Sequence, residues 1–159
     1  MTLVTHALTM NGRIHGELKD PVAPPAELIR QRLLLLDGSN RFSLSLWAIP
    51  PDTSFDQIDL RVWPQEYIQA AGSRDRLMVE MRRVDGLKPR QYLVGHKTSV
   101  TGEHLDPDVP VHWNGCETTV LQREVFDIEE AGGLFVAYYT TGSVPPQYAL
   151  RELVFHDFS

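Results

Sequence analysis

The chain has 159 residues and a net charge of −6, from 21 acidic and 15 basic side chains. Its 42% hydrophobic and 23% charged residues match ordinary globular composition, which argues against a disordered, collagenous or coiled-coil chain, and the length suits one domain, 1–159. No apolar run nears the roughly 20 residues of a membrane helix, the first six residues lack the basic start and apolar core of a signal peptide, and Cys116 is the only cysteine. A single cysteine excludes an internal disulfide and a thiolate zinc cage, and cytoplasm is the expected compartment.

In chain order, Asn11-Gly12 is a type I′ turn signal joining Leu3–Met10 to Arg13–Leu18 as a hairpin. Counting back from it pairs Met10 with Arg13, Leu8 with His15 and His6 with Glu17, so His6 and His15 become diagonal neighbours on one face. Asp20-Pro21 and Pro24-Pro25 break the strand. Leu28, Ile29, Leu33 and Leu36 are spaced for one buried face of a helix that Asp37-Gly38 ends; the rival is a strand over Arg32–Leu36. Arg41–Ile49 alternates as a half-buried strand, Phe42, Leu44, Leu46 and Ala48 opposing Ser43 and Ser45. Ile58–Trp63 reads as a strand stopped by Pro64, and Tyr67–Ala71 as a short helical turn.

Arg76–Val84 alternates again, Leu77, Val79 and Met81 opposing Glu80 and Arg82, and Asp85-Gly86-Leu87-Lys88 turns it into Pro89–Val94. Residues 101–110 form the clearest loop. Asn114-Gly115 then joins Val111–Trp113 to Cys116–Phe126 in a third hairpin, Trp113 facing Cys116 and His112 facing Glu117. Asp127 is a fitting N-cap, with Glu130 completing a capping box, for a helix striped by Ile128, Ala131, Phe135 and Tyr138 and stopped by Gly142. Tyr148–Phe155 is the last strand. The expected fold is α+β, one largely antiparallel sheet built from hairpins with two helices packed on it.

Chemistry-bearing patterns are sparse. No phosphate loop, dinucleotide fingerprint, nucleophile elbow or histidine pair at metal spacing occurs, so no cofactor, metal or catalytic residue is assigned. Six histidines, and Glu80, Glu117 and Glu124 as acid and base, keep a dispersed enzymatic site open as an alternative, although sequence does not place the carboxylates across a cleft. Cys116 lacks a histidine beside it. Gly132-Gly133 suggests close backbone packing of the last helix on the sheet, or tolerance in its first turns. Trp47, Trp63 and Trp113 read as core or edge anchors. No three basic residues are consecutive, which argues against direct nucleic-acid binding, whereas an acidic chain suits a basic protein partner as well as plain solubility. The loop carboxylates Glu103, Asp106 and Asp108 with His104, and Trp113 beside them, are the candidate partner contacts; a solvated acidic loop is the plainer alternative.

The segment Glu124–Leu153, with Glu129-Glu130-Ala131, Phe135, Tyr138, Thr141-Gly142, Pro145 and Leu150, resembles the ending of bacterial polymorphic-toxin immunity proteins often encoded beside deaminase toxins. Leu150-Arg151-Glu152 stands where that ending often carries a tryptophan. The resemblance implies a non-catalytic protein-binding module that neutralises a cognate toxin domain, basic where it holds nucleic acid, by occluding its active or substrate-binding surface. A small-molecule-binding β-rich domain remains the other alternative.

Overall fold

The computed structural model describes residues 4–97 and 108–154. In chain order these form β1 (His6–Met10), β2 (Ile14–Glu17), α1 (Pro25–Leu33), β3 (Ser43–Ala48), β4 (Tyr67–Ser73), β5 (Arg76–Asp85), β6 (Lys88–His96), β7 (Asp108–Trp113), β8 (Cys116–Leu121), α2 (Ile128–Thr141) and β9 (Tyr148–Leu153). The fold is α+β. Seven strands make one antiparallel sheet in the order β2-β1-β3-β4-β5-β6-β9, and β7-β8 stands apart as a two-stranded sheet. Among the described residues no helix is long and apolar enough to cross a membrane.

Strand alternation sends Leu8, Leu44, Leu46, Ile68, Ala70, Leu77, Val79, Met81 and Val94 to one face. There they meet Leu28, Ile29 and Leu33 of α1 and Ala131, Leu134, Phe135 and Tyr138 of α2, the main core. The helices end as their sequences dictate. Pro25 opens α1 at a position needing no N–H partner, and the amides of Leu34, Leu35 and Leu36 tighten its last turn. Asp127 accepts the Glu130 amide at 2.9 Å to start α2, and Gly142, at φ 79°, closes it.

The opposite face is covered in two pieces. Near one end, Val111 and Val120 of the β7-β8 hairpin pack on Ala71, Met78 and Leu93. Near the other, Phe55, Ile58 and Trp63 close over Ala7, Trp47 and Ile49. The expected half-buried strand at β3 is therefore covered on both sides: Ser43, Ser45 and Trp47 are as buried as Leu44 and Leu46.

Several expectations change. The strand expected over 116–126 stops at Leu121, where Gln122–Glu124 make a tight helical turn, and residues 108–110 of the expected loop belong to β7, paired with β8. Residues 58–63 form no strand: β3 already pairs with β1 and β4, and the Asp59 carboxylate takes the Arg61 amide and guanidinium, curling the chain into a turn. Residues 67–71 are strand, not helix, because pairing on both sides by β3 and β5 overrides local propensity; the signal was Ile68 and Ala70 alternating with Gln69. In the first hairpin Asn11 and Gly12 adopt the positive φ of the expected turn, and the Arg13 amide closes it on the Met10 carbonyl. Arg13 is then an extra residue, so pairing resumes at Met10↔Ile14, with Thr9 opposite His15. Leu18 explains the slip: it is buried with Leu8, and only this register puts both on the helix-covered face.

Three glycines test the packing. Gly72, at φ 122°, lies under the β7-β8 hairpin, where an added Cβ would stand 2.4 Å from the Arg76 carbonyl oxygen and 2.9 Å from Val111 Cγ1. Gly132 meets Leu33 of α1 rather than the sheet, at an ordinary 3.9 Å, and nothing lies within 4 Å of a Cβ at Gly133. Close packing of these two glycines on the sheet is not what the helix uses them for. In urea denaturation, Gly133→Ala should add about 0.5–1 kcal/mol of stability, and Gly72→Ala should remove about 2–4 kcal/mol.

Candidate binding groove

Between the two covers, one register line of the open face carries polar side chains across five strands: His15, Thr9, Ser45, Gln69 and Glu80 stand directly opposite one another in turn. Hydrogen bonds join His15 to Thr9 and Ser45 to Gln69 along the line, and tie Thr9 and Glu80 to neighbours off it. Thr9 Oγ1 contacts His15 Nδ1 at 2.8 Å and accepts the buried Trp47 Nε1–H at 2.9 Å. Ser45 Oγ donates to Gln69 Oε1 at 2.9 Å, and Gln91 Nε2 donates to Glu80 Oε2.

Over the Gln69–Glu80 end lies a groove of about 230 Å³, walled by Phe42, Ser43, Met78 and Trp113. The Phe42 and Trp113 rings lie 6.1 Å apart at 40°, and Trp113 Nε1 is fixed by Thr118 Oγ1 at 2.8 Å. The hairpin that brings Trp113 here is moored by the Asn114 amide on the Gly38 carbonyl, 2.8 Å, and by Arg76 Nη1 on the Pro110 carbonyl, 3.2 Å. Asn11 lines the groove too, but its side chain is committed to the Asn40 carbonyl and the Phe42 amide.

Glu80 is the unusual member. Burial pushes its carboxyl above the usual carboxylate range, and the Gln91 hydrogen bond only partly offsets this. Among the described residues it forms no ion pair; Arg82, two residues along, places its Nε on the Gln65 carbonyl at 3.0 Å. Glu124 shows the contrast. It is 2% exposed, and burial again is the largest influence and pushes upward. Arg151, bidentate at 2.8 Å, the Leu121 amide and the charges of Arg151 and Arg123 outweigh it, leaving this carboxyl below its ordinary range.

Of the expected partner contacts, Glu103, His104 and Asp106 lie outside the described residues. Asp108 opens β7, exposed, and Trp113 closes it. Five strand steps put them roughly 17 Å apart, and alternation turns them to opposite faces of the hairpin. Trp113 is therefore not beside Asp108 but lines the groove. His112 faces Glu117 and Trp113 faces exposed Cys116, as the turn dictates.

The shifted first hairpin separates His6 from His15, which now face opposite sides of the sheet. The His6 ring packs 4.5 Å from that of Tyr139, and burial lowers its pKa. Among the described residues no three histidine, cysteine or carboxylate side chains are grouped to hold a metal. Glu80, Glu117 and Glu124 do not converge: Glu117 pairs with His112 at 3.8 Å on the hairpin, and Glu124 with Arg151.

Two features escaped the sequence reading. Glu130, expected to cap its own helix with its carboxylate, instead holds His96 Nε2 and Tyr148 Oη on one oxygen, 2.9 Å each. Only the His96↔Tyr148 pairing beneath α2 creates that tie. A second cleft, about 400 Å³, lies by the end of α2, lined by His6, Trp63, Glu66, Tyr138 and Tyr139. Burial, then the Glu66 charge, pushes Tyr138 up to about 12 against the opposing pull of Arg83. Glu66 of the cleft accepts the Val84 amide, and Arg83, outside its lining, donates to Ser143 Oγ.

Comparison with protein-family models, curated proteins and solved structures returned no match.

The two carboxylates should titrate stability in opposite senses. A raised native pKa means that the folded state binds the proton more tightly than the unfolded chain, so Glu80 subtracts stability once pH exceeds the ordinary glutamate range. Glu80→Gln should raise the melting temperature at pH 7, and the gain should fade as pH falls through that range. Glu124 contributes stability above its ordinary pKa and loses it as pH falls through its lowered native value. Glu124→Gln should cost about 1–3 kcal/mol at pH 7, discounted because Arg151 is half-exposed, and less in acid.

Proposed function

We propose that this chain is a non-catalytic protein-binding module, an immunity protein of the polymorphic-toxin kind, that neutralises a basic toxin domain by covering its active or substrate-binding surface. The observation that carries this reading is a one-signed stretch of chain. Between Lys97 and Arg123 the sequence holds Glu103, Asp106, Asp108 and Glu117 and no lysine or arginine. The part of it that forms β7-β8 stands on the open face as a sheet of its own, with exposed Asp108 and Glu117 carrying the acidic charge outward. Such a surface steers a basic partner and disfavours nucleic acid.

The resemblance in Glu124–Leu153 adds support through its helix and returning strand. Its residues act in the fold rather than at a surface: Phe135 and Tyr138 are core, Gly142 caps α2, and Glu130 ties α2 to β6 and β9. The contact surface is accordingly sought on the hairpin side.

Tagged full-length protein used as bait in its native host, with captured proteins identified by mass spectrometry and titrated calorimetrically, should yield one equimolar basic partner that is toxic when expressed alone. Replacing Asp108→Asn and Glu117→Gln together should slow association with it about 3- to 10-fold at low ionic strength and flatten the salt dependence. An abundant, folded bait that captures nothing, or an unchanged on-rate, would count against the reading.

A further inference from the structure

We propose that the groove between the β7-β8 hairpin and the sheet binds an organic cation, a guanidinium or alkylammonium group, with Glu80 as its counter-charge and Trp113 and Phe42 as its aromatic wall. This goes beyond the toxin-neutralising reading and does not rest on it.

Half-buried carboxylates are ordinarily paired, because an uncompensated charge in a low-dielectric site is costly. Glu124 obeys that rule through Arg151, whereas among the described residues Glu80 has only an amide from Gln91. Arg82 is directed to the Gln65 carbonyl, and neither Ser45 nor Gln69 can supply a positive charge. The carboxylate is therefore left facing a cavity without the partner that its surroundings call for. Cations are drawn to the faces of indole and phenyl rings as well as to carboxylates, and Trp113 and Phe42 line the same groove as Glu80. Gln69 Oε1 accepts one hydrogen bond from Ser45 and has capacity for another, which suits a ligand with several N–H donors. At about 230 Å³ the groove falls below the roughly 300–1,000 Å³ of sites for drug-sized ligands, so its occupant is the size of a side chain. The same group can come from a small amine or guanidine, or from an arginine or lysine presented by a basic protein.

The test is an NMR titration of the full chain with methylguanidinium and butylammonium, against N-methylurea and butanol as neutral isosteres. It is read on the amides of Gln69 and Glu80 and on the Trp113 indole, assigned through Trp113→Phe. Saturable shifts are expected from the cations, with the isosteres at least about tenfold weaker. Glu80→Gln should abolish that preference, Trp113→Leu should weaken cation binding without touching the carboxylate, and Glu129→Gln, on an exposed carboxylate of α2, should leave it unchanged. An acetyl-Gly-Arg-Gly-amide peptide that binds more tightly than methylguanidinium identifies a presented side chain as the source, and equal affinity identifies a free cation. No saturable shift up to roughly 50 mM, isosteres that bind equally, or undiminished binding to Glu80→Gln would each overturn the proposal. Any of these would leave the capture of a toxin partner to be decided by its own experiment.

Discussion

The constraint that organises the molecule is the two-sided burial of β3. A strand flanked by β1 and β4 in a seven-stranded antiparallel sheet has no solvent edge, and both its faces are covered. One cover is continuous: two helices present their apolar stripes to an unbroken field of aliphatic side chains, linked across their exposed side by Arg30 and Glu129, a solvent-screened pair that adds little. The other cover is made of what remains of the chain, a hairpin and a proline-bounded loop. These pack on separate apolar clusters. In the gap between these clusters runs the polar line from His15 to Glu80, buried at Thr9 and Ser45 and half-buried at His15, Gln69 and Glu80.

That gap sets the electrostatics. A polar line under partial cover is tolerable when its members satisfy one another, and from His15 to Gln69 they do. Glu80 breaks the pattern by adding a charge that no cation of the described residues pairs. Glu124, more deeply buried, is held ionised by a bidentate arginine, so the fold has the means to neutralise a carboxylate and uses it elsewhere. The raised native pKa of Glu80 sets the ionised carboxylate against folding at neutral pH, a penalty that glutamine would not carry.

Much of the fold was legible because its signals are local. Asn114-Gly115 dictates a two-residue turn and with it the whole β7-β8 register; Asp127 and Gly142 bracket α2; Leu77, Val79 and Met81 declare the buried face of β5. The failures are those in which a distant partner decides. Tyr67–Ala71 is strand only because two strands flank it, and 58–63 is a lid only because β3 has no edge left. The Arg13 bulge follows from Leu18 seeking the core that Leu8 helps to build. Of the groove, the sequence displayed the parts without the assembly. Ser45 and Glu80 looked like the solvent side of separate strands, Gln69 fell in an expected helical turn, and Trp113 was read with the loop before it instead of with Phe42.

The groove and the acidic charge share one strand: Trp113 closes β7 and walls the groove, while Asp108 opens it and faces the other side of the hairpin. A long-range acidic field and a short-range aromatic–carboxylate pocket act at different stages of an encounter. The field, set by exposed Asp108 and Glu117, acts over roughly a Debye length of about 8–10 Å, is weakened by salt, and would govern the approach of a basic body. The pocket is partly shielded from water, so an interaction at Glu80 is screened less and would govern residence instead. Exposed carboxylates alone would make the surface fast but indiscriminate. A half-buried one beside two fixed rings adds a requirement for shape, and that requirement is what separates a particular cationic group from any positively charged surface.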